Sequence, residues 1–234
     1  MIVSIHQPAY LPWLGYFDKI ARADLFIWLD NVQFQKNSFQ NRNKILTKDG
    51  SAWLTVPMRT SGVLYETLLK DVEIDNSKNW RAKHSASISM NYKKAPRFGD
   101  FFPSLARFYG REWRTLDGLC WEMLSYFNSL LGVTTPIRRA SEMDADGAKS
   151  DLVLDLCKKA GATTYLSGAL GRDYLDLPSF AAAGIAVKFQ DYKHPTYPQA
   201  HQGFVPNLAV IDLLMNERKP QHFISTERAA TRAL

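Results

Sequence analysis

Within the first thirty residues, an apolar β-rich run, IVSIH (2–6), passes into a proline-punctuated polar loop, QPAYLP. A helical stretch, GYFDKIARA, opens at Gly15 and ends at Asp24, where a second apolar run, DLFIWLD, begins. Strand, loop, helix and strand at this spacing are the grammar of a βαβ unit, which builds a parallel sheet. Ligands of such sheets bind outside the carboxyl ends of the strands. The loop after the first strand, with His6, Gln7, Tyr10 and Trp13, is therefore the first place to look for a site.

The C-terminal half repeats the pattern. Ser150 is placed to cap a helix, SDLVLDLCKKAG, that stops at Gly161; ATTYLSG reads as a strand, GRDYLDLPSFAAAG as a helix and IAVKFQDY as a strand. A loop rich in Pro, His and aromatic residues, HPTYPQAHQGFVPN, precedes a short helix, LAVIDLLMN, and a frayed tail, STERAATRAL. Between the halves, SAWLTVP and LLKDVEID read as strands. TLDGLCWEMLSYFNSLLG follows the 3.6 helical period through Leu116, Leu119, Cys120, Met123, Leu124, Phe127, Leu130 and Leu131 and stops at Gly132. The expected architecture is one α/β domain over residues 1–234, with a Rossmann-like parallel sheet and a basic helical insertion over 78–132.

That insertion concentrates the charge. From Lys78 to Arg114 there are nine Lys/Arg against two acids, in a chain whose formal net charge is +6. Trp80, Tyr92, Phe98, Phe101, Phe102, Phe108, Tyr109 and Trp113 are interleaved with them. Cations that neutralise phosphates, beside rings that stack on bases, suit a polyanion such as tRNA. The competing reading is a helical segment whose rings face the core while Lys and Arg face water; the spacing in APRFGDFFPSLARFY fits it.

Composition serves mainly to exclude. At 46% hydrophobic and 22% charged residues the chain is too apolar for disorder. Cys120 and Cys157 cannot make a disulfide framework, and their helical apolar settings suggest buried free thiols in a reducing compartment. No run approaches the roughly 18 apolar residues of a membrane span. MIVSIHQPAYLPW lacks the basic start of a signal peptide, so a cytoplasmic location is expected.

Three clusters carry the candidate chemistry. In the first, His6 and Gln7 sit just past a rigid strand end, in a loop stiffened by Pro8 and Pro12, with Tyr10 and Trp13 as flat walls. The second follows Asp30, with Gln33, Lys36, Asn41, Arg42 and Asn43, whose amides and guanidinium suit sugar hydroxyls, carboxylates or phosphates. In the third, Ser167, Gly168, Gly171 and Arg172 lie between a strand and a helix, where glycines admit close backbone approach and an anion is favoured. His194 and Tyr197 belong to the loop beyond the next strand; if the strands are parallel they share that sheet edge, and either His6 or His194 is a candidate general base. The glycine spacing matches neither G-x-G-x-x-G nor a P-loop, and Ser167 lacks the G-x-S-x-G elbow of hydrolases. His194 and His201, with no carboxylate nearby, form a weak ligand set, so neither a metal nor a cofactor is expected.

IHQPAYLPWLGYFDKIARADLFIWLDNVQFQKNSFQNRNKI, AWLTVP, TYLSGALGRDYLD, FQDYKHPTYPQ and the terminal IDLLMN together resemble the WbqC-like protein family. Members are associated with gene sets for surface polysaccharides and modified amino sugars. The resemblance implies a transferase step on an activated sugar or amino compound; the reaction expected here moves an acyl or aminoacyl group onto the amine of a nucleotide-linked amino sugar or a similar small-molecule amine. The opening is also similar to that of nucleotidylyltransferase-like enzymes, but Trp13-Leu14-Gly15-Tyr16 stands where they carry H-x-G-H, and only the glycine matches. ATP-dependent adenylylation or ligation is thus the rival enzymatic reading. A binding protein of a polysaccharide assembly system is the rival outside catalysis.

Overall fold

The computed structural model describes residues 1–35, 37–59, 66–201 and 203–224. Lys36 and the segment 225–234, read above as a tail, lie outside the described residues. In chain order the elements are β1 (Ile2–His6), α1 (Leu14–Ala21), β2 (Leu25–Trp28), β3 (Arg42–Thr47), β4 (Gly50–Thr55), α2 (Trp80–Tyr92), α3 (Phe98–Ala106), α4 (Leu116–Leu131), β5 (Ile137–Arg139), α5 (Ser150–Lys159), β6 (Thr164–Ser167), α6 (Leu177–Ala182), β7 (Ala186–Phe189) and α7 (Ile211–Asn216).

Five of the strands form one sheet in the order β5-β2-β1-β6-β7, every neighbour parallel. Alternation along β1 and β2 divides their side chains between two cores. Phe26 and Trp28 face Leu14, Phe17 and Ile20 of α1 and Leu124 and Phe127 of α4. Val3, Ile5, Leu25 and Ile27 face Leu152, Val153, Leu156 and Cys157 of α5 and Phe180 of α6. Both faces are therefore covered by helices, as a parallel sheet requires. From β1 the chain steps outward to β2 and β5, then returns to the other side of β1 to lay down β6 and β7. The connection reverses between β1 and β6, which makes their carboxyl ends the topological switch point of a Rossmann-like fold.

Some elements differ from their sequence reading. Residues 68–75 are not a strand: a 3₁₀ turn covers Leu69–Asp71, and only isolated bridges, Met58–Ile74 and Glu73–Thr115, follow. Leu69, Val72 and Ile74 are all buried, so the segment lacks the two-faced alternation of a strand. The helix expected over 171–184 is split into a 3₁₀ turn, Ala169–Asp173, and α6, which begins beside Pro178, a residue favoured in a first helical turn. Ser150 is the first residue of α5 rather than its cap; Lys149 holds that position, and the Ser150 hydroxyl accepts from the Asp176 N–H. The β3–β4 hairpin, α2 and α3 are inserted between β2 and α4. The helix α4, placed by sequence within the insertion, packs on the parallel sheet and connects to β5.

The rings of the basic segment are in the core. Trp80, Tyr92, Phe101, Tyr109 and Trp113 are buried, and Phe98, Phe102 and Phe108 pack against the same cluster. Lys78, Lys83, Lys93, Lys94, Arg107, Arg111 and Arg114 stay exposed. Cys120 and Cys157 are buried free thiols. Among the described residues no helix is long and apolar enough to cross a membrane.

Candidate active site at the sheet switch point

Ser4 of β1 is in register with Leu166 of β6, so His6 and Gly168, each two positions further on, emerge at the same level on either side of the switch point. The His6 ring is held edge-on by Trp13 at 5.7 Å and Tyr16 at 4.7 Å between centroids. Its Nδ1 lies 2.9 Å from the Gln7 carbonyl, which can only accept, so Nδ1 carries the hydrogen and Nε2 keeps its lone pair. Burial, assisted by the nearby Lys19 ammonium, lowers the imidazole to about 3. His6 is thus a neutral, fixed hydrogen-bond acceptor over the physiological range. Gly15 explains the tight packing at the start of α1: a Cβ there would stand 2.7 Å from the Tyr192 ring and 2.9 Å from Trp13 Nε1.

Sequence reasoning missed Lys19. It is 2% exposed, and its Nζ donates to the Ile5 carbonyl at 3.0 Å. The neighbouring Asp18 is committed elsewhere, to Arg22 at 2.9 Å and to the Gln190 amide at 2.7 Å. Burial pushes the Lys19 amine down to about 7. A Cβ on Gly168 would lie 4.0 Å from Nζ, so the amine faces the loop after β6. A helix lysine ordinarily faces water, and this one is recognisable only by its periodicity, one turn beyond buried Tyr16 in the first helix after the first strand.

Tyr10, expected as a wall of the site, is instead a core residue with no exposed surface, hydrogen-bonded to His84 at 2.9 Å and Tyr109 at 2.8 Å. A buried phenol needs such partners, and these account for it. Asn43 is also buried: it donates to the Leu11 carbonyl at 2.6 Å and accepts from the Lys44 N–H, which fixes the 7–12 loop against β3. Asn41 donates to the Val56 carbonyl at 2.8 Å. Gln33 is exposed and bridges to Leu68. Arg42 lies over the Trp53 ring at 4.3 Å and is separated from His6 by a chain of rings, Trp53, Phe39 and Trp13. The residue that joins this segment to the switch point is Gln40, which sequence reading passed over; its amide donates to Gln7 Oε1 at 2.8 Å.

Asp30 anchors a second network, away from the switch point. Its carboxylate accepts from Arg139 at 3.0 Å and from the backbone and hydroxyl of Ser141. The same Arg139 nitrogen reaches Asp117 at 2.7 Å, which also accepts from Trp28 Nε1 at 2.6 Å. The buried Asp30 carboxylate, accepting three hydrogen bonds, fastens β2, α4 and β5 together. β5, three residues with two arginines, is too short to announce itself in the sequence.

Ser167 is 1% exposed, and the close approach of Gly171 encloses its hydroxyl: a Cβ on Gly171 would stand 2.0 Å from Ser167 Oγ. Arg172 is exposed, stacked on Phe189 at 4.2 Å. Tyr197, expected at the site, is buried and donates to Asp212 at 2.9 Å within the core beneath α7. His194 packs among Tyr192, Tyr197 and Phe204, and burial lowers its pKa; its Nδ1 lies 3.3 Å from the Tyr192 hydroxyl. Because Tyr192 rests on Gly15, His194 and His6 are linked through the first turn of α1. His201 Nε2 is engaged with the Asn91 carbonyl at 3.2 Å, and among the described residues no group of three or more His, Cys, Asp or Glu is placed to hold a metal ion.

The structure therefore brings His6, Gln7, Trp13 and Gly168 together with Lys19, and places Arg42 and Arg172 on separate rings outside that group. Two surface cavities, of about 340 and 370 Å³, have linings that include neither His6, Arg42 nor Arg172; Leu177, Ile185 and Val187 line one, and Asp18, Arg22, Tyr192 and Phe223 are among those lining the other.

A parallel sheet with helices on both faces and a titratable pair at its switch point defines a Rossmann-like α/β protein. The chain belongs to the WbqC-like protein family, whose family model matches residues 7–222. An uncharacterized protein of Mycobacterium tuberculosis, Rv1507c, is 35% identical over 216 residues, covering 92% of this chain and 93% of that protein. No solved structure matches the chain.

Proposed function

We propose that this protein is a transferase that places an acyl or aminoacyl group on the amine of a nucleotide-linked amino sugar, or of a similar small molecule, in surface polysaccharide biosynthesis. One observation carries the reading: at the switch point His6 commits its Nδ1–H to the Gln7 carbonyl and keeps its Nε2 lone pair, beside the buried Lys19 amine on the Ile5 carbonyl. An acceptor N–H hydrogen-bonds to Nε2, which aims the nitrogen lone pair at the donor's carbonyl carbon. Trp13 forms an apolar wall beside it. Substrates of this class agree with the gene-set associations of the family. His6 rather than His194 takes the acceptor, because His6 stands at the strand end of the switch point while His194 lies in the segment after β7 with its Nε2 buried.

An aminoacyl-tRNA donor keeps a narrower basis than the sequence suggested. Exposed Lys78, Lys83, Lys93, Lys94 and Arg107 can neutralise phosphates, but the rings interleaved with them pack into or against the core. The test is to incubate the protein with a nucleotide-linked amino sugar and charged tRNA, with and without ribonuclease, and to weigh the acceptor by mass spectrometry. The reading expects a mass gain of one acyl group that His6→Ala abolishes. Product undiminished by ribonuclease removes tRNA as donor. An acceptor unchanged by every ester donor tried, with pyrophosphate released when ATP is added, replaces transfer by adenylylation.

A further inference from the structure

We propose that Lys19 is the base of this site, taking at its Nζ the proton that the acceptor amine loses as it attacks the donor. The inference rests on the transfer reading above and names the group that performs its proton transfer.

The geometry singles out this lysine. α1 turns it back onto β1, where it meets the Ile5 carbonyl beside His6, and on the side toward β6 it faces Gly168, where a Cβ would stand 4.0 Å from Nζ. A buried lysine with a structural role pairs with a carboxylate. Among the described residues no ion pair includes Lys19, although Asp18 precedes it in the chain. The titratable and charged groups around it are few. His6 on β1 stays neutral; Asp18 is turned to Arg22 and Gln190 on its own helix; Tyr192, from the segment after β7, lies over Gly15 with its phenol pushed above the ordinary value by burial. Burial alone therefore sets the amine, and it sets it near 7. That value suits proton transfer at neutral pH, whereas an imidazole held near 3 can align an N–H but cannot keep its proton.

The step balances with an ester donor. The acceptor nitrogen forms a bond to the carbonyl carbon, and its proton passes to Nζ, giving an ammonium whose N–H points at the Ile5 carbonyl. The carbon–oxygen bond to the donor's alcohol then breaks, and the departing oxygen takes the proton from Nζ, which restores the neutral amine. No oxidant or reductant enters.

Competitive trace acetylation of the purified full chain with acetic anhydride, read by peptide mass mapping between pH 5 and 11, tests the assignment without a known substrate. The expected result is half-maximal reactivity of Lys19 near pH 7, well below the ordinary lysine value of 10.5. Labelling of Lys19 with an ordinary midpoint overturns the proposal, and so does absence of label, since an amine out of reach of acetic anhydride is out of reach of an acceptor. In the transfer assay, Lys19→Met should lower kcat about a hundredfold with KM little changed and remove the limb of the pH profile near 7. Ordinary titration with intact transfer overturns the lysine's role alone. A reactive Lys19 with no transfer from any acyl donor overturns the transfer reading, and this proposal with it.

Discussion

Replacing Lys19 by methionine should make the protein more stable, a result opposite to that of most substitutions at a fully buried position. Methionine keeps an unbranched chain of similar length and removes the amine. That amine ordinarily loses its proton near 10.5 and here loses it near 7. At about 1.4 kcal/mol per decade, folding forfeits on the order of 5 kcal/mol wherever the unfolded chain keeps the charge. Nearly all of that loss still applies at pH 7, because the unfolded lysine is fully protonated there. The hydrogen bond to Ile5, lost in the variant, offsets about 1 kcal/mol. Lys19→Met is therefore expected to be more stable by about 3 kcal/mol at pH 7. The sign of the pH dependence follows from the lowered pKa. Between pH 7 and 10.5 the unfolded chain binds more protons than the folded one, so wild-type stability gains from this group as pH rises and the variant's advantage shrinks. Urea unfolding followed by tryptophan fluorescence at pH 7, 8, 9 and 10 reads both quantities. A variant less stable than wild type at pH 7, by a margin that does not change with pH, would refute the reasoning.

Gly171→Ala should cost about 1–3 kcal/mol, because the new methyl group meets Ser167 Oγ in a loop with no room to yield; Ser167→Ala in the same chain should recover part of the loss in thermal melts. Acid should destabilise the fold between pH 6.5 and about 3, where the unfolded chain protonates histidines that His6 and His84, lowered by burial to about 3 and about 4, refuse in the folded state. Changing His84 to Gln should flatten that limb in denaturant titrations.

How far the sequence could be read depended on whether a residue's partner is local. The β1–α1–β2 unit was legible because strand, loop and helix follow one another within thirty residues, and His6 was legible because a strand end fixes where it emerges. Tyr10, Asn43, Asp30 and Tyr197 read as recognition groups yet serve the scaffold. A polar side chain satisfied by His84, Leu11, Arg139 or Asp212 looks the same in sequence as one awaiting a ligand. Lys19 was hidden for the converse reason: its only local mark is the helical spacing from Tyr16, and a lysine at that spacing ordinarily faces water. The rings of α2 and α3 were ambiguous because an inward amphipathic face and an interleaved binding surface share one spacing.

Backbone amide chemical-shift mapping of the isotopically labelled protein with a series of nucleotide-linked amino sugars tests the central claim, that the small-molecule site lies between the carboxyl ends of β1 and β6. The account predicts saturable shifts at His6, Gln7, Trp13, Lys19 and Gly168. Saturable shifts confined to Arg22, Asp191 and Phe223 of the surface cavity, or to the exposed Lys78, Lys83, Lys93 and Lys94 in and beside α2, with the switch-point amides unmoved, would contradict it.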